Sequence, residues 1–154
     1  MDVAADTFST KVPGSFYSRY WCFGTMGVDM LAQPWAAAPD GTRHLVWCNP
    51  PFDLLGPVVR KILDERVDAI LVAPQWPRPW QALLRRLPVA HTVDLPRHPG
   101  LFVPGQHVAE AKRRAAAGQP HYQVTVYYVL WPQASQRRVF GRGLKAREGR
   151  PQPV

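Results

Sequence analysis

Nothing in this chain builds a glycine-rich phosphate cradle: neither Gly-x-Gly-x-x-Gly nor a phosphate-binding loop occurs, which argues against a nucleoside triphosphate or dinucleotide as cofactor. Cysteine is scarce. Cys22 and Cys48 make neither a zinc pattern nor a disulfide framework, so a reducing compartment is the default. The five histidines, His44, His91, His98, His107 and His121, show no ligand spacing. His91 and Asp94 have no paired serine or cysteine to complete a triad, so no metal and no hydrolytic triad are expected. No apolar run has the length of a signal peptide or a membrane span, and no membrane partner is expected. These absences together predict an intracellular protein, nuclear if its source is a eukaryote.

Acidic residues are also few. The chain has 11 Asp/Glu against 19 Lys/Arg, a formal net charge of +8. The excess is uneven: residues 1–131 carry 13 Lys/Arg and 10 Asp/Glu, whereas 132–154 carry 6 and one. Residues 132–154 therefore read as a flexible basic tail, with Arg137 and Arg138 at its centre. Such a tail either attracts nucleic acid or is simply solvated.

Residues 1–131 read as one folded domain, since 46% of the 154 residues are hydrophobic and six are tryptophan. Leu45–Cys48 is a short buried strand. The stripe Leu54, Leu55, Val58, Val59, Ile62, Leu63 predicts a helix over 54–66 capped by Asp53. Ala69–Ala73, an apolar run closed by Pro74, is a central parallel strand. Together these make a βαβ unit and an α/β fold. Further expectations are a short strand within 15–21, a helical turn over 28–35 and a helix over 80–87. Strands are expected at 89–95, 101–103 and 122–131, and a helix at 108–117. Residues 1–5 read as an edge strand that has lost its beginning, or as the sign of a fragment.

Strand 45–48 stops at Asn49-Pro50-Pro51-Phe52. Neither proline has an N–H to continue a ladder, and Asn49 is held extended by the proline after it. An amide, a fixed backbone carbonyl and an aromatic ring thus meet at a strand's carboxyl end, where open α/β sheets bind ligands. Adenine N6 is a weak nucleophile because its lone pair is delocalised. Two acceptors for its N–H groups favour the charge that develops as it attacks a sulfonium methyl, and an aromatic face can stack on an extruded base. The other reading is a proline-stiffened turn with Phe52 in the core. Similar alternatives hold elsewhere. Tyr17, Tyr20 and Trp21, beside Arg19 and Lys11, are either a base-stacking surface or a satellite core. Trp76 and Trp80 either wall a pocket near Asn49 or cap the core. Asp2 either serves a cofactor pocket or is an exposed carboxylate.

Asp2-Val3-Ala4-Ala5, Ser9-Thr10-Lys11, Gly27 to Trp35, Val46 to Phe52 and Val72-Ala73-Pro74 with Trp80 together resemble the phage-type N6-adenine DNA methyltransferase family. The order and spacing match over residues 2–87. Phe52-Asp53-Leu54-Leu55-Gly56, Arg60-Lys61-Ile62, Ala73 to Pro77 and Leu101 to Gly105 are similar to the methyltransferase-like segment of DIRS-type tyrosine-recombinase retroelement polyproteins, which extends the likeness to residue 131. The resemblance implies a Rossmann-like, methyltransferase-type, mostly parallel sheet with flanking helices and a truncated N-terminal strand. It implies S-adenosylmethionine as methyl donor and DNA as partner. Asn49, Pro50, Pro51 and Phe52 fall on the catalytic loop. Asp2, with Ala4, falls on the cofactor side. Lys11, Arg19, Trp76, Trp80, Arg137 and Arg138 are the candidate nucleic-acid contacts. Ser9 stands where the family has asparagine. This departure, the frayed first strand and the missing glycine-rich turn together predict weak or lost donor binding. The alternative function is a non-catalytic, nucleic-acid-associated module of retroelement origin.

Overall fold

Strand β3 (Leu45–Cys48), helix α1 (Leu55–Glu65) and strand β4 (Asp68–Pro74) form the βαβ unit, with β3 and β4 parallel from Leu45↔Asp68 to Cys48↔Leu71. The computed structural model describes residues 1–36, 43–102 and 120–132. Leu55, Val58, Val59 and Ile62 are fully buried on one side of α1, as their i, i+3, i+4, i+7 spacing requires. Asp53 does not cap this helix. The backbone leaves Pro51 extended (φ −49°, ψ 136°) and enters a 3₁₀ turn over Phe52–Leu54, closed by the Leu54 N–H on the Pro51 carbonyl at 2.9 Å. That turn places Asp53 inside the helical run, and Leu54 takes the cap position. The helix ends at Arg66 in the left-handed region (φ 51°). A non-glycine residue costs about 1–2 kcal/mol there. The Arg66 guanidinium lies 5.9 Å over the Trp131 ring, a contact that offsets part of this cost.

The main sheet has the order β3-β4-β6-β5, where β5 is Val89–Leu95 and β6 is Val124–Val129. It is mixed. β6 runs antiparallel to both neighbours, from Ala69↔Val129 to Pro74↔Val124 on one side and from Val89↔Val129 to Leu95↔Val124 on the other. The expected mostly parallel sheet is thus interrupted between β4 and β5. The β-branched and aromatic residues of β6 mark it as a strand but carry no signal of its direction. A short helix α2 (Trp80–Leu84) follows β4 and packs against α1. A two-stranded parallel sheet pairs β1 (Tyr17–Ser18) with β2 (Gly27–Val28).

Residues 1–5 are not an edge. Asp2 bridges Phe16 on one side and Trp47 on the other, both parallel. Backbone bonds run from Val3 N–H to the Trp47 carbonyl, from Trp47 N–H to Met1, from Asp2 N–H to Ser15, from Tyr17 N–H to Asp2 and from Ala5 N–H to Tyr17, at 2.7–3.0 Å. This segment joins the small sheet to the large one. Val3, Val46, Leu71 and Val129 are fully buried in the shared core. Trp35 is fully buried as well. Its indole N–H donates to the Met30 carbonyl at 2.8 Å and its backbone N–H to Glu65 Oε2 at 2.7 Å, while Lys61 lies over the ring and pairs with Glu65. These contacts organise residues 28–35 as turns rather than the expected helical turn. Leu101 and Phe102 form a bend, not a strand. The expected helix at 108–117 and the tail from 133 lie outside the described residues. Among the described residues no helix is long and apolar enough to cross a membrane.

The two thiols differ in a way that tests β3. Cys48 is fully buried, and desolvation pushes its thiol far above the ordinary value. Hydrogen bonds with the side chains of Thr7 and then Ser18 hold the Cys22 thiol below it. Since the thiolate is the nucleophile, iodoacetamide at neutral pH labels Cys22 in the native protein, and Cys48 only after denaturant is added. Mass spectrometry that found both thiols labelled at equal rates in the native state would contradict the burial of β3.

Candidate functional site

Residues 1–5, bridged at Asp2 in parallel to Phe16 just before β1 and to Trp47 of β3, serve as the first strand. After it the chain turns first to the β1 side and later to the β3 side. The direction of strand succession therefore reverses between the first strand and β3. Such a reversal marks a position at the carboxyl ends of the two strands where α/β sheets usually bind ligands. Asn49 lies immediately past the carboxyl end of β3 at this place. The side chain is exposed and has no hydrogen-bond partner among the described residues. Pro50 is buried and locks the loop to the core; Pro51 is exposed. The Pro51 carbonyl is taken by Leu54. The Pro50 carbonyl accepts no hydrogen bond from the described residues.

Phe52 is half-buried, and its ring meets three others edge to face: Trp76 at 5.2 Å, Phe102 at 5.5 Å and Tyr122 at 6.1 Å between centroids. Trp76 and Tyr122 are 4.8 Å apart. The ring is therefore neither buried in the main core nor presented alone. It belongs to an aromatic group assembled at the strand ends. Phe102 and Tyr122 had no signal in the linear sequence. Tyr122 arrives because β6 is reversed, which brings the start of that strand to the carboxyl ends of its neighbours. Beside this group, Thr125 Oγ1 donates to Asp94 Oδ1 at 2.6 Å, and Gln75 Nε2 donates to Thr125 Oγ1 at 2.9 Å. This network ties the ends of β4, β5 and β6 together. Asp94, weighed with His91 in the sequence and excluded from a triad, is part of the support.

The two tryptophans read as a pair separate in space. Trp76 is half-buried in the aromatic group and borders a hollow of about 310 Å³ with Pro77 and Arg78. Trp80 is 8% exposed in the core, with its Cβ 4.0 Å from the point where a Gly56 Cβ would lie. It caps the core and has no free face for a base. A groove of about 640 Å³ beside α2, bordered by Gln81, Leu84 and Arg85, lies away from Asn49.

Asp2 is buried, not an exposed terminal carboxylate. Its Oδ2 accepts the Lys11 N–H at 2.8 Å and its Oδ1 the Ala4 N–H at 3.3 Å. Both oxygens are thus engaged by the backbone of the loop that follows the first strand. Asp6 continues the pattern: its Oδ1 accepts from the N–H groups of Phe8 and Ser9, and Ser9 Oγ accepts from the Asp6 N–H. Ser9, standing where asparagine was expected, serves this turn. The N–H groups of residues 4, 5, 6, 8, 9, 10 and 11 are thus spent within the protein, and neither they nor the Asp2 carboxylate is free to hold a ligand. Ala4 is half-buried beside Asp2.

The group Tyr17, Tyr20, Trp21 divides. Tyr17 is buried, and its hydroxyl, raised in pKa by desolvation, donates to the Pro34 carbonyl at 3.1 Å. Tyr20 and Trp21 are 71% and 81% exposed. Arg19 is exposed with its guanidinium 5.2 Å over the Tyr20 ring, and the Lys11 side chain is exposed. Arg137 and Arg138 lie outside the described residues. Among those residues, His, Cys, Asp and Glu are nowhere gathered three together as a metal site.

Removing the Asp2 carboxylate leaves two backbone N–H groups without their acceptor in a partly buried turn. Asp2→Ala is expected to lower unfolding stability by about 1–3 kcal/mol, read as a lower urea midpoint at unchanged slope. An unchanged midpoint would show that the loop is held by other contacts. Family models, curated proteins and solved structures yield no match to this chain.

Proposed function

We propose that this chain is a DNA adenine N6-methyltransferase-like domain, of Rossmann-like methyltransferase type, which presents Asn49 and the Pro50 carbonyl to an adenine amine. The observation that carries the reading is the position of Asn49-Pro50-Pro51-Phe52. It follows β3 at the carboxyl end of the strands, where the strand succession reverses, and the Asn49 side chain is exposed with no hydrogen-bond partner among the described residues.

The residues act as follows. The Asn49 amide oxygen and the Pro50 carbonyl each accept one N6–H bond. Both bonds strengthen as positive charge grows on N6, so they favour the transition state over the ground state. Pro50 and Pro51 keep the loop from relaxing around the substrate. The half-buried rings of Phe52 and Trp76 offer apolar surface to an extruded base. S-adenosylmethionine, the donor implied by the resemblance, supplies the methyl group when bound. Asp2 and Ala4, which the resemblance places on the cofactor side, would lie beside it.

A second reading, a non-catalytic module of retroelement origin bound to nucleic acid, is favoured by one observation. Asp2 spends both oxygens on its own loop, and no glycine lies in residues 2–12 to let the backbone approach a ligand closely. Donor affinity is accordingly expected to be weak, with a dissociation constant above about 10 μM by titration calorimetry. A tighter value would remove the case for the second reading.

The catalytic reading is tested by methyl transfer to an adenine-containing oligonucleotide at about 1 mM donor, the upper end of ordinary Michaelis constants. Asn49→Ala is expected to lower turnover at least about 100-fold while leaving donor affinity within about two-fold. Equal turnover in the variant would remove Asn49 from the mechanism. No transfer by the unaltered protein would leave the non-catalytic reading standing.

A further inference from the structure

Five large apolar side chains crowd two neighbouring loops near the first strand and β1: Phe8 is 71% exposed, Tyr20 71%, Trp21 81%, Phe23 83% and Met26 55%. A patch of this kind on a folded domain marks an interaction site more often than an accident. Its composition narrows the partner. Four of the five are rings, and the cations set with them are Arg19, stacked on Tyr20, and the exposed side chain of Lys11. Aliphatic side chains, the usual lining of a groove for an amphipathic helix, are missing among them.

The loops are held in shape from beneath. Ser18, 3% exposed, donates from Oγ to the Tyr20 carbonyl at 2.6 Å and meets Thr25 Oγ1 at 2.9 Å. Thr25 Oγ1 in turn donates to the Gly27 carbonyl at 2.8 Å. The Met26 N–H donates to the Phe16 carbonyl and the Thr25 N–H to the Cys22 carbonyl. Thr7 Oγ1 donates to the Phe23 carbonyl at 2.8 Å and ties the loop bearing Phe8 to the loop bearing the other rings. Gly24, at φ 83°, allows the sharp reversal after Phe23 over the Phe16 ring. The backbone is therefore ordered before any partner arrives, which limits the entropy lost on binding. Thr7 follows the carboxyl end of the first strand, and Tyr20 that of β1. Both ring-bearing loops thus open on the edge of the sheet that carries Asn49.

We infer that Phe8, Tyr20, Trp21 and Phe23, with Arg19 and Lys11, form a stacking platform for single-stranded nucleic acid. Exposed ring faces accept unpaired bases of any sequence, and each stacked base contributes enough to be seen by substitution. A duplex hides its base faces and offers such rings little beyond its phosphates. The inference extends the preceding section's reading by naming the strandedness of the partner. It needs no methyl donor, so the two stand or fall separately.

The test uses the full chain and a fluorescent thymidine oligonucleotide of about 12 nucleotides, within the span of one small single-strand site. The double variant Trp21→Ser, Phe23→Ser alters only exposed side chains, and an unchanged thermal transition verifies its fold. It is expected to bind the single strand about ten-fold or more weakly, with duplex affinity unchanged. Trp21→Phe with Phe23→Tyr, which keeps both rings, is expected to stay within about two-fold of the unaltered protein. Equal single-strand affinity in the serine variant would overturn the inference. So would equal losses for single strand and duplex. Concentration-dependent self-association, abolished by the serine variant while oligonucleotide binding persists, would assign the rings to a second copy of the chain and overturn it as well.

Discussion

Five backbone hydrogen bonds that hold residues 1–5 between Trp47 and the 15–17 segment are the constraint on which the remaining geometry rests. Without them the small sheet and the large one share no ladder. The reversal of strand succession beside Asn49 exists only because residues 1–5 lie on that side of β3. The Asp2 carboxylate adds the next level of order: it takes the N–H groups of Ala4 and Lys11 and thereby shapes the loop above the strand. Backbone pairing builds the position, and one buried side chain shapes what rises from it.

The candidate site shows a division of labour between rigid and available groups. Pro50, Trp80 and Thr125 are structural and withdrawn from solvent, Thr125 anchoring the exposed Asp94 and Gln75 side chains. Asn49 is exposed without a hydrogen-bond partner among the described residues, and Phe52 and Trp76 are half-exposed. A site that discriminates between ground and transition states needs this arrangement, since a loose acceptor gains nothing as charge develops on the substrate. The aromatic group around Phe52 supplies stiffness through ring contacts rather than hydrogen bonds, which leaves the polar groups of the loop uncommitted.

Local signals carried much of this into the linear sequence. Strand β3 was legible because an apolar run meets two prolines, and α1 because four residues repeat at helical spacing. The βαβ unit follows from their order. Direction and partnership were not legible. The reversal of β6 leaves no mark on its composition, and from that reversal follow both the mixed sheet and the presence of Tyr122 beside Phe52. Residues 1–5 looked like an edge because an edge is defined by what lies next to it in space, and the short strand expected within 15–21 carried no sign of its partner. The proposed cap at Asp53 failed because the rigid Pro50-Pro51 pair drives the chain straight into a 3₁₀ turn. Trp76 and Trp80 look equivalent in sequence and differ because Trp80 opens α2, which packs against α1, whereas Trp76 lies in the loop before it.

The reversed strand also bears on how the domain assembles. β6 is the inner neighbour of both β4 and β5, yet it is the last of the described strands to be synthesised. Ala69 must wait for Val129, sixty residues later, before the ladder at its side can close. Until then β4 has an unpaired side, and β5, whose ladder is made with β6 alone among the described strands, has no place in the sheet. Pairing at such separation raises the contact order and slows folding. On a ribosome adding about 5–20 residues per second, the open side of β4 stays exposed for seconds, an interval in which a holdase chaperone is better placed than the chain's own strands to cover it.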